Sequence, residues 1–309
     1  MIELKDVRKE FGDVVAVSDL TLSIPEREVY GLIGPNGAGK TTTIRIACGL
    51  LSPTAGTAMI AGVDVALEPE RAQQYIGYLS DFFSVYEDLK VWEYLDYFAR
   101  AYRMPMKDIP ARIDEVIAQA HLEVKRDAII RGLSRGMKQR LGIARAIIHR
   151  PSILLLDEPA SGLDPKARVE LRNLLRALRD DGATILISSH ILSELEGFCT
   201  SIGIMEKGLL IRSGKLEEVA AAGSPARLVR ISWTENSLQS VDRALRSDRR
   251  VTEISLDVSS GSFHFSGEET DLAEFLASLV NAGIRVTSFS ETKQTVEDLY
   301  MRLSRHEVM

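Results

Sequence analysis

The segment that most constrains this chain is GPNGAGKT, which occupies residues 34–41. It follows a short apolar run, residues 29–33, and it leads into TTTIRIACGLL, residues 41–51, where apolar residues recur at helical spacing. A strand, a glycine-rich turn and a helix in this order are the context of a phosphate-binding loop. The pattern therefore predicts a strand, a phosphate-binding turn and a helix that ends at Ser52-Pro53.

The small residues of this loop let consecutive backbone N–H groups turn inward around phosphate oxygens, and the following helix adds its positive N-terminal end. Lys40 is expected to reach the β- and γ-phosphates of a nucleotide, Thr41 to offer its hydroxyl to Mg²⁺, and Thr42 to donate to the α-phosphate. The predicted nucleotide-binding residues of the loop are Gly34, Pro35, Asn36, Gly37, Ala38, Gly39, Lys40, Thr41 and Thr42.

Two further runs, residues 153–156 and 184–188, have the apolar composition of strands buried on both faces of a parallel sheet. The first runs directly into Asp157 and Glu158, and the second is followed shortly by His190. A helical stretch separates the two runs, and this alternation predicts an α/β fold with a largely parallel sheet. Open α/β sheets bind ligands outside the carboxyl ends of their strands, so these polar residues are expected beside the phosphate-binding loop.

Four further motifs narrow the class of nucleotide-binding protein. LSRGMKQR occupies residues 133–140, ILLLDEP residues 153–159, SGLD residues 161–164, and SSH ends at His190. With the loop at 34–41 before them, the sequence resembles the ABC ATPase family over roughly residues 1–220. The resemblance implies a P-loop NTPase domain of α/β class with a helical insert over about residues 86–150, and ATP as the nucleotide.

The resemblance also implies roles for the residues at the strand ends. Asp157 is expected to hold Mg²⁺, mostly through water, and Glu158 to act as general base or to orient the attacking water. His190 is expected to contact the γ-phosphate. Phe11, just before Gly12, matches the aromatic residue that stacks on adenine, with a place in the hydrophobic core as the alternative.

A further implication of the family is that one chain supplies only half of each ATP site. Family members form head-to-tail dimers, in which each ATP lies between the phosphate-binding loop of one chain and the signature motif of the other. Ser134 and Gly136 are therefore expected to contact the ATP of a second chain, and Asp164 to make a contact across the dimer. The implied partner is a second copy of this chain or a related ABC ATPase.

Two motifs depart from the family pattern. The usual signature is LSGGQ, whereas this chain has Arg135 and Met137 at the third and fifth positions. The family's Q-loop glutamine is replaced by Asp81, which is expected to serve with Thr41 and Asp157 as a metal ligand. An ionised carboxylate accepts hydrogen bonds but donates none, so the sixth ligand of the metal and the coupling to a partner are expected to differ here.

The segment over residues 86–150 is predicted to be mainly helical, with Pro105 and Pro110 marking breaks between helices. It is dense in aromatic residues, and two interpretations of them are open. They form a stripe in the core, or they line a cleft that docks a cytoplasmic helix of a membrane protein. The aromatic residues are Tyr86, Trp92, Tyr94, Tyr97, Phe98 and Tyr102.

Residues 221–309 follow a different pattern and are predicted to form a small α+β domain after an ATP-binding domain over 1–220. The predicted elements are strand 227–233, helix 237–247, strand 251–258, strand 262–266, helix 270–282, strand 284–291 and helix 295–304. The order βαββαβ matches a ferredoxin-like unit. Because no ligand-specific motif occurs there, support of the dimer or regulation is the expected role.

Composition restricts the partners of the chain. A formal net charge of −6 argues against a dedicated nucleic-acid binder, so no nucleic-acid partner is expected. No stretch approaches the roughly 20 apolar residues that cross a bilayer, so membrane-spanning segments are expected in another polypeptide. The two cysteines, Cys48 and Cys199, lie far apart in sequence and fit no metal-type spacing, which indicates inert thiols in a reducing cytosol.

These features predict an ATP-binding and ATP-hydrolysing subunit that energises transport through a separate integral membrane permease. ATP-driven dimerisation of two cassettes would supply the motion, and the resemblance is to bacterial exporters of the drug-resistance and sodium-export type. The chain is then expected as a peripheral protein at the cytoplasmic face of the cell membrane. The alternative is a soluble ABC ATPase in translation or DNA metabolism, a class that usually carries two cassettes or a long coiled-coil insertion.

Overall fold

The computed structural model describes residues 1–81, 83–191, 195, 198–221, 226–234 and 238–292. The chain divides into two compact units, Met1–Leu216 and Glu217–Met309. The last predicted helix, 295–304, lies outside the described residues.

The first unit combines two sheets with helices. Its elements are β1 (Ile2–Phe11), β2 (Val14–Ile24), β3 (Val29–Ile33), α1 (Lys40–Ala47), β4 (Ala55–Ile60), β5 (Val63–Asp64), α2 (Pro69–Gln73), β6 (Ile76–Leu79), α3 (Val91–Ala101), α4 (Ile109–Gln119), α5 (Arg135–Ile147), β7 (Ile153–Leu156), α6 (Pro165–Asp180), β8 (Thr184–Ser189), β9 (Ser201–Glu206) and β10 (Leu209–Lys215). A short helix, α7 (Leu216–Ala221), follows β10.

The central sheet has the strand order β10-β9-β3-β8-β7-β6, and all neighbours from β9 to β6 are parallel. Every residue of β3, β7 and β8 is buried, as expected for strands that are covered on both faces. The predicted parallel sheet is therefore confirmed. A second, antiparallel sheet of order β2-β1-β4-β5 packs against it through one shared hydrophobic core.

Two predicted boundaries are wrong. The helix that follows the glycine-rich loop ends at Ala47 and does not continue to residue 51. Gly49 adopts a φ of +69°, a left-handed conformation that closes the helix early. Pro110 does not separate two helices but lies in the first turn of α4, where the missing N–H has no helical partner to lose.

The aromatic residues of the helical segment divide between core and surface, so the core interpretation holds for some of them and the docking cleft stays a prediction. Tyr94 is fully buried, whereas Tyr86 and Tyr97 are 55% and 52% exposed. Trp92 and Phe98 are half-buried, and Tyr102 is exposed. A core stripe thus accounts for the inner side of α3 only, and its outer side presents aromatic surface to solvent.

The second unit contains β11 (Ala226–Trp233), α8 (Leu238–Ser247), β12 (Val251–Leu256), β13 (Ser260–Ser266), α9 (Glu269–Asn281) and β14 (Val286–Thr292). Its sheet has the order β12-β13-β11-β14, and all neighbours are antiparallel. The predicted βαββαβ order is confirmed, and the strand order is the one a ferredoxin-like unit requires. Its core is built around Phe263, Phe265 and Phe275.

Candidate nucleotide-binding site

The parallel register of the central sheet brings the predicted site residues to one edge. Ile33 lies opposite Ser189, Leu156 opposite Ile187, and Leu79 opposite Leu156. The segments that leave β3, β8, β7 and β6 therefore start side by side. They carry the glycine-rich loop, His190, Asp157 with Glu158, and Asp81.

The glycine-rich loop is closely packed on one side and open on the other. A Cβ at Gly34 would lie 2.2 Å from the Met205 carbonyl oxygen, and one at Gly39 would lie 2.5 Å from the Ala16 carbonyl oxygen. At Gly37, a Cβ would meet nothing within 4 Å. The loop is thus a cradle that packs against the protein at Gly34 and Gly39 and is open at Gly37, a shape that suits a bound phosphate group.

Lys40 lies inside this cradle and is only 5% exposed. Its Nζ donates to the Gly34 carbonyl at 2.7 Å and to the Pro35 carbonyl at 3.1 Å. The same ammonium group lies 3.3 Å from Oε1 of Glu158. Lys40 therefore connects the loop to the carboxylate that follows β7.

Asp157 is almost fully buried beside the start of α1. Its Oδ1 accepts a hydrogen bond from the Thr41 hydroxyl at 3.2 Å and one from the Ser188 hydroxyl at 2.7 Å. Hydroxyl and carboxylate oxygens are the ligands that Mg²⁺ prefers. Among the described residues no group of three His, Cys, Asp or Glu side chains could hold a metal. The Thr41 and Asp157 oxygens, which meet at 3.2 Å, fit a Mg²⁺ ion whose other ligands are phosphate and water.

Glu158 is held at both carboxylate oxygens and at its backbone. Oε2 accepts a hydrogen bond from Nδ1 of His190 at 2.7 Å, while Oε1 faces Lys40. The Glu158 N–H donates to the Ser188 hydroxyl at 2.9 Å. Its φ of +49° is a left-handed conformation that is uncommon for a residue with a Cβ.

Asp81 is half-buried and belongs electrostatically to the same cluster. Burial raises the pKa of its carboxyl, and the charges of Asp157 and Glu158 raise it further, whereas Arg135 and His190 act in the opposite direction. The structure thus brings the predicted Q-loop position close to the other two carboxylates.

Phe11 lies at the end of β1 and is 51% exposed. Nζ of Lys9 lies 5.0 Å from the centre of its ring. The alternative that placed Phe11 in the core is therefore wrong, and its ring is available to stack on a ligand.

The signature and SGLD motifs lie together at two helix starts. Ser134 caps α5 by accepting from the Met137 N–H, and Asp164 caps α6 by accepting from the Ala167 N–H. A Cβ at Gly136 would lie 3.1 Å from the Cβ of Ala167, so the two starts are in contact. Ser134 and Asp164 are both exposed.

Two residues of this region were not predicted from the sequence as part of the site. Ser188 links Asp157 to the Glu158 backbone, and its signal was a hydroxyl at the end of an otherwise apolar strand. Arg145 donates to the Tyr78 carbonyl at 3.1 Å, and its guanidinium carbon lies 5.7 Å and 5.3 Å from the ring centres of Phe83 and Phe98. Its signal was a basic residue within the apolar run of α5.

Comparison with known proteins places these features in a family. Residues 17–161 match the family described as ABC transporter. The Nod factor export ATP-binding protein I of Cupriavidus metallidurans is 37% identical over 219 residues, which cover 71% of this chain and 72% of that protein. The ABC transporter ATP-binding protein YhcH of Bacillus subtilis is 40% identical over 212 residues, 68% of either chain.

A solved structure gives the same result. The dimeric ATP-binding cassette MJ0796, in a post-hydrolysis state with ADP and Pi, matches with a TM-score of 0.64 and 29% identity, over 70% of this chain and 99% of that chain. The predicted cassette fold is confirmed, and the alternative of a soluble ATPase in translation or DNA metabolism is not favoured. The chain belongs to the ABC transporter family and is one of its ATP-binding, ATP-hydrolysing subunits.

Proposed function

We propose that this chain energises export through a separate integral membrane permease, by ATP-driven dimerisation of two cassettes. The observation that carries the proposal is the pair of exposed helix starts at Ser134 and Asp164. An exposed helix N-terminus binds phosphate oxygens, so this surface suits the ATP of a second chain. The export name of the Cupriavidus relative and the dimeric cassette structure support the same assignment. ATP then joins two copies, or one copy and a related ABC ATPase, and hydrolysis releases them.

The loop over residues 34–39 would bind the triphosphate through its backbone N–H groups. The ammonium group of Lys40, now directed to two loop carbonyls, would turn to the β- and γ-phosphates. Thr42 would donate to the α-phosphate, and the exposed ring of Phe11 would stack on adenine. Ser134 and Gly136 of the second chain would close over the γ-phosphate.

Mg²⁺, when bound with the nucleotide, would neutralise phosphate charge and orient the transferred group. Thr41 and Asp157 would provide oxygen ligands, because their oxygens already meet at 3.2 Å. Asp81 would complete the set directly or through water, because Leu79, two residues before it, lies opposite Leu156, the residue before Asp157.

Glu158 would accept the proton of the attacking water or orient it. Because Lys40 and His190 contact different oxygens of this carboxylate, they fix its orientation before the reaction begins. His190, which is partly exposed, would also contact the γ-phosphate. Asp164 would extend this site across the dimer.

Among the described residues, no helix combines the length and the apolar composition that a membrane-spanning helix requires. The proposed permease contact is the exposed groove lined by Val85, Tyr86, Leu89 and Tyr97, in which the two tyrosine rings lie 5.7 Å apart. Glu87 and Asp88 border it. Because both carboxylates already pair with cations of this chain, Lys138 and Arg131, the groove suits a cytoplasmic helix through its apolar residues. This contact would hold the chain, as a peripheral protein, at the cytoplasmic face of the membrane.

Changing Tyr86 and Tyr97 together to serine is expected to weaken binding to the permease by about 10- to 100-fold, since buried aromatic anchors dominate interfaces. The measurement is recovery of the chain with membranes that contain the permease that co-purifies with the unaltered chain. Val124→Ser, at a side chain that is 90% exposed, removes apolar surface elsewhere and should leave recovery unchanged. Recovery of the unaltered chain with polysomes, and not with membranes, would contradict the transporter role.

We assign residues 1–220 to the ATP-binding domain, including the helical subdomain over about 86–150, and residues 221–309 to an accessory domain. The two compact units divide nearby, after Leu216. A chain that ends at residue 220 should still bind ATP, and loss of ATP binding would contradict the assignment. Support of the dimer or regulation remains the role proposed for the accessory domain, and an unchanged dimer and ATPase rate in that shorter chain would exclude both.

A further inference from the structure

The guanidinium group of Arg135 crosses from the start of α5 to the segment before α6. Its Nη2 donates to the Ser161 carbonyl at 2.9 Å. This hydrogen bond joins the signature motif to the SGLD segment, residues 161–164, within one chain. A charged donor on a carbonyl is among the stronger hydrogen bonds that proteins form.

The contact depends on Gly162. A Cβ at this position would lie 2.3 to 2.5 Å from the Cζ, Nη1 and Nη2 atoms of Arg135, so a larger residue would displace the guanidinium group from this contact. Gly162 also adopts a φ of +66°, a left-handed backbone conformation that residues with a Cβ rarely adopt. Arg135 and Gly162 therefore fit each other.

The hydrogen bond from Arg135 to Ser161 adds to a second close contact between the same two helix starts. The start of α5 meets the start of α6 where Gly136 faces Ala167. Ser134 and Asp164 are occupied in capping their own helices, so neither of these side chains fixes one helix to the other. Arg135, the residue directly after the Ser134 cap, is the side chain that connects the start of α5 to the segment before α6.

We propose that Arg135 is a positioning residue, which holds the signature motif and the SGLD segment as one rigid surface for the ATP of a second copy. The inference rests on the proposed dimerisation. A surface that is ordered before association loses less conformational entropy when the dimer closes, and its affinity is higher for that reason. Arg135 acts through Ser134, Gly136 and Asp164, which make the contact.

The test uses the full chain with Glu158→Gln, which should keep ATP bound, and measures the dissociation constant of its ATP-dependent dimer by sedimentation velocity. R135A is expected to weaken the dimer by about 3- to 10-fold, the effect of ordering one more flexible group on association. R135K keeps the charge but not the planar geometry, and it should restore only part of the loss. ATP binding by the single chain should change less than formation of the dimer, because the loop of that chain is unaltered and Arg135 acts on its site only through its charge near Asp81.

A double-mutant cycle separates this role from a general structural one. G162A displaces the guanidinium group, so its effect on the dimer should be several-fold smaller when Arg135 is already alanine. K138A removes a cation one turn along α5, where Lys138 pairs with Glu87 at 2.7 Å, and it should leave the dimer unchanged.

Additive effects of R135A and G162A, or an unchanged dimer in R135A, would overturn the inference while leaving dimerisation intact. If the chain with Glu158→Gln formed no dimer in the presence of ATP, the proposed dimerisation would be overturned, and the role of Arg135 would be overturned with it.

Discussion

Glu158→Gln is expected to slow ATP hydrolysis by roughly 10²- to 10⁴-fold, the usual contribution of a positioned general base. Glutamine has the size of glutamate, and its amide oxygen can still accept from Lys40 or His190, which now contact the carboxylate at 3.3 Å and 2.7 Å. The amide cannot take up a proton from water. ATP binding should therefore persist while ATP hydrolysis is slowed.

Single-turnover hydrolysis and equilibrium binding of ATP, measured on the same preparation, separate these two effects. Glu70→Gln makes the same chemical change at an exposed position of α2 and should turn over like the unaltered chain. Normal turnover in Glu158→Gln would show that the base has been assigned to the wrong residue.

Lys40→Ala is expected to weaken ATP binding by about 10- to 100-fold, since hydrogen bonds to a charged group contribute about 1.5–3 kcal/mol. The buried ammonium group is the cation that contacts both the loop and Glu158. Without it, phosphate charge in the cradle is poorly neutralised, and the Gly34 carbonyl loses its 2.7 Å donor. The loss should appear in the dissociation constant before any turnover occurs.

Equilibrium dialysis with ATP checks this value, and a melting curve checks that the variant is folded. Lys5→Ala, at an exposed position of β1, removes one positive charge outside the site and serves as the matched control. If Lys40→Ala and Lys5→Ala bound ATP equally well, Lys40 would have no part in nucleotide binding.

Much of the site could be predicted from the sequence because its residues follow buried strands directly. Four apolar residues before Asp157 fix a strand end, and a parallel sheet brings such ends to one edge. The loop at 34–39 could be located because its glycines and Lys40 directly follow the apolar run of β3 and directly precede a helical pattern. These are local patterns that tertiary packing preserves.

The remaining features depend on contacts between distant parts of the chain. The two hydrogen bonds of Ser188 arise from the register between β7 and β8, which no local pattern specifies. The contact of Arg135 with Gly162 joins two helix starts that are separate in sequence. The early end of α1 at Ala47 was missed because helical spacing continues beyond Gly49, whose backbone conformation closes the helix.

Mixing two inactive variants tests whether each ATP lies between two chains. Lys40→Ala disables the loop half of the site. Ser134→Asp keeps a good helix cap but sets a negative charge against the triphosphate, and so disables the signature half. In an equal mixture about half of the dimers are mixed, and each of these has one intact site. Mixing is expected to restore about one quarter of the unaltered ATPase rate, whereas a mixture no more active than its two components would show that no ATP site is shared between two chains.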